Sequence, residues 1–382
     1  MADSTILENP PSSLAPHVPF AQMIGPRLKP EVLAESKVPD LREAGYDCIR
    51  YMGTCTGGHI YLGREQKMGK SFVAIKKYSI DDIDDYAAIA KDTANLRLLK
   101  HDNILHLIQS FVFERSIYQI TPAMNLGSLY DVVVNYKTFG IGEKATAAIV
   151  HQVLDALIYL HQRRYIHRDV KSKHILIDST GHVKLTGFRF MIELNQHLEC
   201  VFQYDDNLQN QIYYLAPEVI QQNMKGYTAK SDMYMLGITV CEAINGVMPF
   251  SELDPLEMMY RKLNGQAPRP VDRRSLEDDQ QMGIDISQRP QEHLNREFSV
   301  ELHEFVSNCL AFAPNQRLSA AEMKKCSWLR SDEFKNLIPS DVSRELQLEY
   351  SHFDLSLWPQ EPLLSPEPEQ KYPIAFDYTA IS

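Results

Sequence analysis

The sequence predicts an α+β protein of two lobes, a small β-rich N-terminal lobe with one helix and a larger helical C-terminal lobe. The small lobe is indicated by the runs CIRYMGTCTGGHIYLGR and SFVAIKKY, which are rich in β-branched and aromatic residues and contain a glycine-rich turn. The larger lobe is indicated by residues 142–161, where apolar residues recur on one face of a helix. We expect the boundary between the lobes near residue 124.

The composition is that of an intracellular globular protein. Of the 382 residues, 44% are hydrophobic, which is enough for the core of one large two-lobed domain. The formal net charge of −11 argues against nucleic acid or an anionic membrane as a partner. The six cysteines include no CxxC pair, so neither a disulfide framework nor a zinc site is expected. The N-terminus has no signal-peptide pattern, and no apolar run is long enough for a membrane span.

Composition divides the chain into four segments. Residues 1–43 are rich in proline and predict a disordered leader. Residues 44–124 form the small lobe and the linker, and residues 125–330 form the larger lobe. Within the latter, 266–296 is polar with three prolines and is predicted to be a loop. Residues 331–382 are a tail that starts helical and becomes proline-rich and acidic.

Several short motifs follow one another in an order that is specific to one fold. They are the glycine-rich turn at 53–58, VAIK at 73–76, HDNI at 101–104, HRDVK at 167–171, APE at 216–218, DMYMLG at 232–237 and Arg317. Together they resemble the protein-kinase domain over residues 45–330. The resemblance implies a bilobal protein-kinase fold that holds a nucleotide between its lobes.

The lysine that contacts the nucleotide in this family matches Lys76, whose role would be to hold the α- and β-phosphates of ATP. Its acidic partner matches Asp92, which lies on the apolar stripe of a helix predicted over 84–99. Because a buried charge is costly unless it is paired, we expect an ion pair between Asp92 and Lys76. Asp is one methylene shorter than the usual Glu, so the helix would have to sit closer.

The rest of the nucleotide site departs from the family pattern in its glycine-rich turn. Cys55 replaces the second glycine, and we expect its Cβ to crowd a phosphate; a plain hairpin is the alternative. In the linker, Pro122 keeps the carbonyl that adenine uses, and Met124 can supply the N–H. The predicted nucleotide-binding residues are Gly53, Gly58, Ile60, Ala74, Lys76, Asp92, Thr121, Pro122, Met124, His174, Leu176 and Arg189.

The catalytic loop keeps its proton acceptor but not its metal ligands. Asp169 and Lys171 match the acid and the lysine of the family, and we expect them to be vestigial. His174 replaces the asparagine that binds the metal, and Gly187 replaces the acid that bridges magnesium to the phosphates. Magnesium prefers oxygen ligands, so no metal site is expected. Losing two such electrostatic elements would lower the rate by about 10⁴ or more.

Arg189 stands where the family has the glycine of the same turn. Its guanidinium could neutralise a triphosphate in place of magnesium, and with Lys76 and His174 it could hold ATP free of metal. The alternative is a surface arginine that fills a vacated loop. The sequence leaves both interpretations open.

Residues 190–216 contain no serine or threonine, so the usual switch by phosphorylation of such a residue cannot operate. Gln211 replaces the threonine that ties this segment to the catalytic loop. We therefore expect packing or a partner to hold the segment. The predicted partner-binding residues are Phe190, Phe202, Tyr204, Tyr213 and, in the tail, Trp358 and Phe376.

The residues that support the fold are kept. Glu218 is predicted to pair with Arg317 and to tie the APE helix to the lower helices. Asp232 is predicted to bind the backbone of the HRD loop from below. A frame that is kept while the metal ligands are lost indicates selection for shape.

Three stretches resemble the Sterile-20-related adaptor (STRAD) pseudokinases: GFR at 187–189, HILI at 174–177, and MKGYTAKSDMYMLGITVCEAINGVMPF at 224–250. This resemblance implies ATP binding without metal and a closed, active-like shape. It also implies a heterotrimer with a tumour-suppressor serine/threonine kinase and an armadillo-like helical scaffold protein. Within it, the adaptor switches the kinase on allosterically and keeps it in the cytoplasm.

The chain departs from the vertebrate members of that family in two ways. They lack the lysine and the HRD acid that are present here as Lys76 and Asp169. They also end in a Trp-Glu-Phe tripeptide that docks on the scaffold, whereas this chain ends in AFDYTAIS. Trp358 or Phe376 would have to take over that role.

We therefore expect an inactive kinase-fold adaptor that binds ATP and acts in the cytoplasm, with the nucleus as a second compartment. Two alternatives stay open. One is a weakly active serine/threonine kinase with atypical metal use, and the other is a scaffold that binds no nucleotide.

Overall fold

The computed structural model describes residues 39–66, 71–80, 86–194, 200–204, 211–283, 285–287 and 289–346. The predicted leader up to residue 38 and the tail from residue 347 lie outside the described residues, and so do Trp358 and Phe376.

The small lobe is a five-stranded antiparallel sheet with one helix. The elements are β1 Tyr46–Cys55, β2 Gly58–Glu65, β3 Phe72–Ser79, α1 Tyr86–Leu98, β4 Gln109–Phe113 and β5 Ser116–Pro122. The strand order is β1-β2-β3-β5-β4, and the core of the sheet contains Val73, Ile75, Tyr118 and Ile120. Helix α1 follows β3 in the chain and packs on the turn that contains Gly187.

The small lobe begins earlier than its sequence pattern indicates. Leu41 is 1% exposed and packs with Tyr46 and Cys48 in the core of the lobe. A short 3-10 turn, Arg42–Ala44, carries the chain from Leu41 into β1. A single apolar residue among prolines has no periodicity, which is why the sequence placed it in the leader.

The larger lobe is built around α5, which is buried along its length. Among the described residues, no helix is long and apolar enough to cross a membrane. The helices are α2 Leu129–Tyr136, α3 Glu143–Gln162, α4 Pro217–Ile220, α5 Lys230–Asn245, α6 Pro255–Leu263, α7 Arg273–Gln281, α8 Gln291–Asn295, α9 Val300–Cys309, α10 Ala320–Met323, α11 Ser327–Arg330 and α12 Pro339–Leu346. The short strands are β6 Gly127–Ser128, β7 Tyr165–Ile166, β8 Ile175–Ile177, β9 Val183–Leu185 and β10 Ile192–Glu193.

The loop predicted at 266–296 is wrong, because this segment contains α7 and α8. The start of α7 is stabilised by a capping box, in which Asp272 accepts from the N–H of Ser275 and the Ser275 side chain bonds back to Asp272. Leu276 is its main buried apolar residue. A polar helix of this kind has too narrow an apolar stripe to be recognised by periodicity.

The larger lobe also extends beyond residue 330. Val342 and Leu346 of α12 are buried in the main core and pack against α3. The carbonyl of Pro339 lies so close to Gly181 that a side chain could not be placed there. The first part of the predicted tail is therefore part of the fold.

Candidate functional site

The catalytic loop rests on Asp232, which enters from α5. Its Oδ1 accepts from the N–H of Arg168 at 2.8 Å, and its Oδ2 accepts from the N–H of His167 at 2.9 Å. His161 Nε2 lies 2.8 Å from the same Oδ2. Burial opposes ionisation of this carboxyl, but the bonds from His161 and the backbone outweigh it, so the pKa of Asp232 is lowered. The loop is thereby held in a fixed shape, with Arg168 in the left-handed region at φ +68°.

Three side chains meet at the end of this loop. Lys171 Nζ lies 2.7 Å from Asp169 Oδ1. His174 Nδ1 lies 2.9 Å from the carbonyl oxygen of Asp169 and 3.3 Å from its Oδ2. Burial lowers the pKa of His174 well below its usual value, so the ring is neutral. Since a carbonyl only accepts, Nδ1 carries the proton and donates it to Asp169.

The ring of His174 also decides what residue 187 can be. A Cβ built on Gly187 would lie 2.5 Å from Cε1 and 2.6 Å from Cγ of His174. Gly187 has φ +86°, which side chains disfavour. The imidazole therefore occupies the space in which an acid at 187 would begin. With neither oxygen ligand present, the described residues do not fit a magnesium ion at this place.

The turn after Gly187 is packed between the catalytic loop and α1. Phe188 is fully buried, and its ring centroid lies 5.0 Å from that of His167. The carbonyl of Phe188 accepts from Asn95 Nδ2 of α1 at 2.9 Å. Helix α1 is thus attached directly to the turn.

Two cations act on the cleft from opposite lobes. The charge of Arg189 favours ionisation of both Asp92 and Asp169, so its guanidinium lies within electrostatic reach of α1 and the catalytic loop. The ammonium of Lys76 acts on Asp92 and on His174. These positions suit the negative charge of a polyphosphate.

The ion pair predicted between Asp92 and Lys76 is not formed. Among the described residues, no nitrogen–oxygen distance of 4.0 Å or less joins these two side chains. Asp92 Oδ2 instead accepts from Gln119 Nε2 at 3.4 Å. Burial raises the pKa of Asp92, and nearby Lys76 opposes this rise without contact. The short side chain of Asp92 does not reach Lys76, and Gln119, the neighbour of Lys76 on β5, contacts it instead.

Cys55 lies at the end of β1, and its crowding of a phosphate stays a prediction. Its side chain packs against the cluster of Tyr78, Ile89 and Ile117 beneath the sheet. Burial raises the pKa of its thiol. Gly58 is the position without room, since a Cβ there would lie 2.5 Å from the Lys77 carbonyl.

Two main-chain groups of the linker are already bonded within the fold. The N–H of Ala123 donates to the carbonyl of Phe72, and the carbonyl of Met124 accepts from Gly127. The N–H of Met124 itself makes no such bond within the described residues. The remaining predicted nucleotide residues line the adjoining strands: Gly53 on β1, Ile60 on β2 beside Lys76, Ala74 on β3 beside Thr121, Pro122 at the end of β5, and Leu176 on β8.

Hydrogen bonds from side chains to main-chain carbonyls hold the described parts of the segment after the turn. Arg168 donates to the carbonyls of Phe190 at 3.2 Å and of Gln203 at 3.3 Å. The Tyr204 hydroxyl donates to the carbonyl of Asn223 at 2.6 Å. Of the predicted partner-binding residues in this segment, Phe202 is the most accessible, at 51% exposure.

The far end of the segment is anchored by a lysine that the sequence did not single out. Lys262 of α6 is fully buried, and its Nζ lies 2.5 Å from the carbonyl of Tyr213 and 3.1 Å from that of Leu215. Burial lowers the pKa of Lys262 to about 7. Gln211 is buried, and its carbonyl accepts from Leu215 and Tyr214. The only sign of this anchoring role in the sequence was a lysine on the inward face of a helix.

Glu218 and Arg317 form a buried, bidentate ion pair, with distances of 2.6 and 2.8 Å. Arg317 also donates to the carbonyls of Ala311 and Phe312. The pair joins α4 to the segment that precedes α10 and so fixes the lower wall of the site.

Comparison with known proteins agrees with this geometry. The protein kinase domain family matches residues 46–329. The STE20-related kinase adapter protein strd-1 of Caenorhabditis elegans is 66% identical over 388 residues, covering 100% of both chains. The STE20-related kinase adapter protein alpha of Homo sapiens is 33% identical over 258 residues, 61% of this chain and 60% of that protein. The serine/threonine-protein kinase sid1 of Schizosaccharomyces pombe is 28% identical over 311 residues, 81% of this chain and 59% of that protein.

The bilobal protein-kinase fold predicted from the motifs is confirmed, and so is the resemblance to the adaptor pseudokinases. The chain belongs to the protein kinase family and, within it, to the STE20-related kinase adapters.

Proposed function

We propose that the protein is an inactive kinase-fold adaptor that binds ATP without magnesium and activates a client serine/threonine kinase. The observation that carries this proposal is the contact between His174 and Gly187, which leaves no room for the acid that would bind the metal. Lys76 and Arg189 supply positive charge to the same cleft. ATP would supply the negative charge between the lobes, and these cations and the linker would hold it.

Activation of the client would follow from a shift in its conformational equilibrium. Arg168 and Lys262 hold the described parts of the segment by the main-chain carbonyls of Phe190, Gln203, Tyr213 and Leu215, so a partner would meet a preformed surface there. If this surface binds the active client 100-fold better than the inactive one, it supplies about 2.7 kcal/mol. We propose a tumour-suppressor-type kinase as the client and an armadillo-like helical protein as the scaffold. The complex would act in the cytoplasm, with the nucleus as a second compartment.

The first test is thermal unfolding of the full chain with ATP, in EDTA and then in magnesium. We expect the same rise in melting temperature in both conditions. Lys76→Met and Arg189→Glu should reduce the rise, whereas Lys77→Met should keep it, because Lys77 lies on the opposite face of β3. A rise only with magnesium would contradict metal-free binding. No rise at all would favour the scaffold that binds no nucleotide.

A second test restores the missing ligands. The double variant Gly187→Asp, His174→Asn puts oxygen ligands back at both positions. We expect its stabilisation by ATP to become larger in magnesium than in EDTA. If it stayed independent of magnesium, the loss of these two side chains would not be the reason that the protein needs no metal.

The retained pair of Asp169 and Lys171 favours a second candidate, a weakly active kinase, since Lys171 Nζ lies 2.7 Å from the carboxylate that would accept the substrate proton. The test is transfer of labelled phosphate to a generic protein substrate, in magnesium and in manganese. We expect no transfer above background. Transfer that Asp169→Asn abolishes would establish an enzyme.

A further inference from the structure

A buried hydrogen-bond network centred on Gln119 joins α1 to the sheet. Gln119 lies on β5 and is fully buried. Its Nε2 lies 2.8 Å from Thr93 Oγ1 and 3.4 Å from Asp92 Oδ2, both on α1. Its Oε1 lies 3.4 Å from the hydroxyl of Tyr78 on β3. One carboxamide therefore bridges two strands and the helix.

The chemistry of the partners fixes the direction of each bond. The hydroxyl of Thr93 donates to the carbonyl of Ile89 at 2.7 Å, so its oxygen is left as an acceptor. The carboxylate of Asp92 is also an acceptor. The NH₂ group of Gln119 must therefore face α1, and its oxygen must face the hydroxyl of Tyr78. Both donors and the acceptor of the side chain are matched.

Gln119 is also the direct neighbour of Lys76 in the sheet. The two residues are paired in register across β3 and β5, so their side chains leave the same face toward α1. An ammonium and an amide thus compete for the same acid. The contact at 3.4 Å belongs to Gln119, and no contact of Lys76 with Asp92 is found within the described residues.

We propose that Gln119, and not Lys76, is the positioning residue that fixes α1 over the cleft. The helix would then stay in place whether or not the nucleotide site is filled. Lys76 would be left to the phosphates alone, which rests on the ATP binding proposed above.

The test compares Gln119→Met with Lys76→Met in the full chain, by hydrogen exchange of the α1 amides without nucleotide. We expect Gln119→Met to speed exchange in α1 roughly tenfold, as the loss of one or two buried hydrogen bonds implies. Exchange in β2 and α5 should change little, which separates positioning from general loosening of the fold. Lys76→Met should leave exchange in α1 within about twofold. Gln109→Met on β4 is the matched control, because its side chain also loses a hydrogen bond, but one to the hydroxyl of Tyr46 on β1 and not to α1.

Thr93→Val keeps the shape of its side chain and removes its hydroxyl, which accepts from Gln119 and donates to the Ile89 carbonyl within α1, so it serves if Gln119→Met does not fold. Unchanged exchange in α1 for the folded variant would overturn the proposal. A larger effect of Lys76→Met would overturn it as well. If the parent protein does not bind ATP, the proposed function is wrong. The exchange result would not be affected, and it would still decide the role of Gln119.

Discussion

The imidazole of His174 lies where a side chain on residue 187 would have to begin, 2.5 Å from Cε1 to the Cβ position of Gly187. The ring cannot turn aside freely, because Nδ1 is bonded to the carbonyl of Asp169. The two departures from a magnesium-binding kinase are therefore coupled. With histidine at 174, residue 187 must be glycine, and restoring the acid alone is not compatible with the packing.

This coupling predicts the effect of Gly187→Asp. The variant should lose about 2–4 kcal/mol of unfolding free energy, from the close contact and the left-handed backbone together. Gly57→Asp is the matched control, since Gly57 has φ +79° and a Cβ there meets nothing within 4 Å. It should lose only about 1 kcal/mol. Adding His174→Asn to Gly187→Asp should return about 1 kcal/mol or more, measured by urea unfolding. Equal losses at 57 and 187 would contradict the clash.

The neutral state of His174 predicts a dependence of stability on pH. Burial lowers the pKa of His174 in the folded protein, while the pKa of the ring in the unfolded chain is about 6.5. The unfolded state therefore binds more protons in acid, and stability is lost as pH falls below that value. The slope is at most about 1.4 kcal/mol per pH unit for each such histidine. His167, with its pKa lowered to about 4, adds a second contribution.

The variant His174→Asn removes one of these two contributions. Between about pH 7 and 5, its unfolding free energy should fall less steeply than that of the parent. Other titrating groups cancel in the comparison. Parallel curves for His174→Asn and the parent would show that the ring is not held neutral.

The buried pair of Glu218 and Arg317 predicts a large effect of Arg317→Met. Removing the guanidinium leaves a buried carboxylate without its partner, which should cost about 3–5 kcal/mol. Arg261→Met breaks an exposed pair with Glu257 and should cost about 0.5 kcal/mol. Denaturant unfolding measures both. A similar small loss at both sites would mean that the buried pair does not hold α4 in place.

Lys262 predicts local rather than global loosening. Lys262→Met leaves the carbonyls of Tyr213 and Leu215 without their buried donor. Chymotrypsin should then cut at Tyr213 or Tyr214 roughly tenfold faster, because the segment opens without unfolding the lobe. Lys262→Arg keeps a donor and should be cut more slowly than Lys262→Met. An unchanged cleavage rate would show that other contacts are sufficient.

Sequence motifs predicted the fold and many of its residues well, because each motif performs a local task. Asp232 and Glu218 lie in short patterns whose partners follow from the order of the motifs. The polar helix α7 was missed, since its capping box replaces the apolar stripe that periodicity detects. Leu41 was missed because one apolar residue forms no pattern.

Relations between distant residues were the least predictable part of the site. His174 and Gly187 were each recognised as the loss of a metal ligand. That the ring of His174 excludes a side chain at residue 187 follows only from the distance between them. Gln119 gave no signal that separates it from Ser116 and Thr121, the other small or amide polar residues of its strand. Its competition with Lys76 for Asp92 depends on strand register, which the motifs do not contain.

Arg168 donates to the main-chain carbonyls of Phe190 and Gln203. In a kinase that is regulated by phosphorylation, the corresponding arginine receives a signal, because its charge is matched only when a phosphate arrives. Carbonyl groups are present in every copy of the chain from the moment of its synthesis. The chain around Phe190 and Gln203 therefore reaches its shape without the action of another enzyme. We expect the output of this protein to scale with its abundance, so that synthesis and degradation would be the points of control.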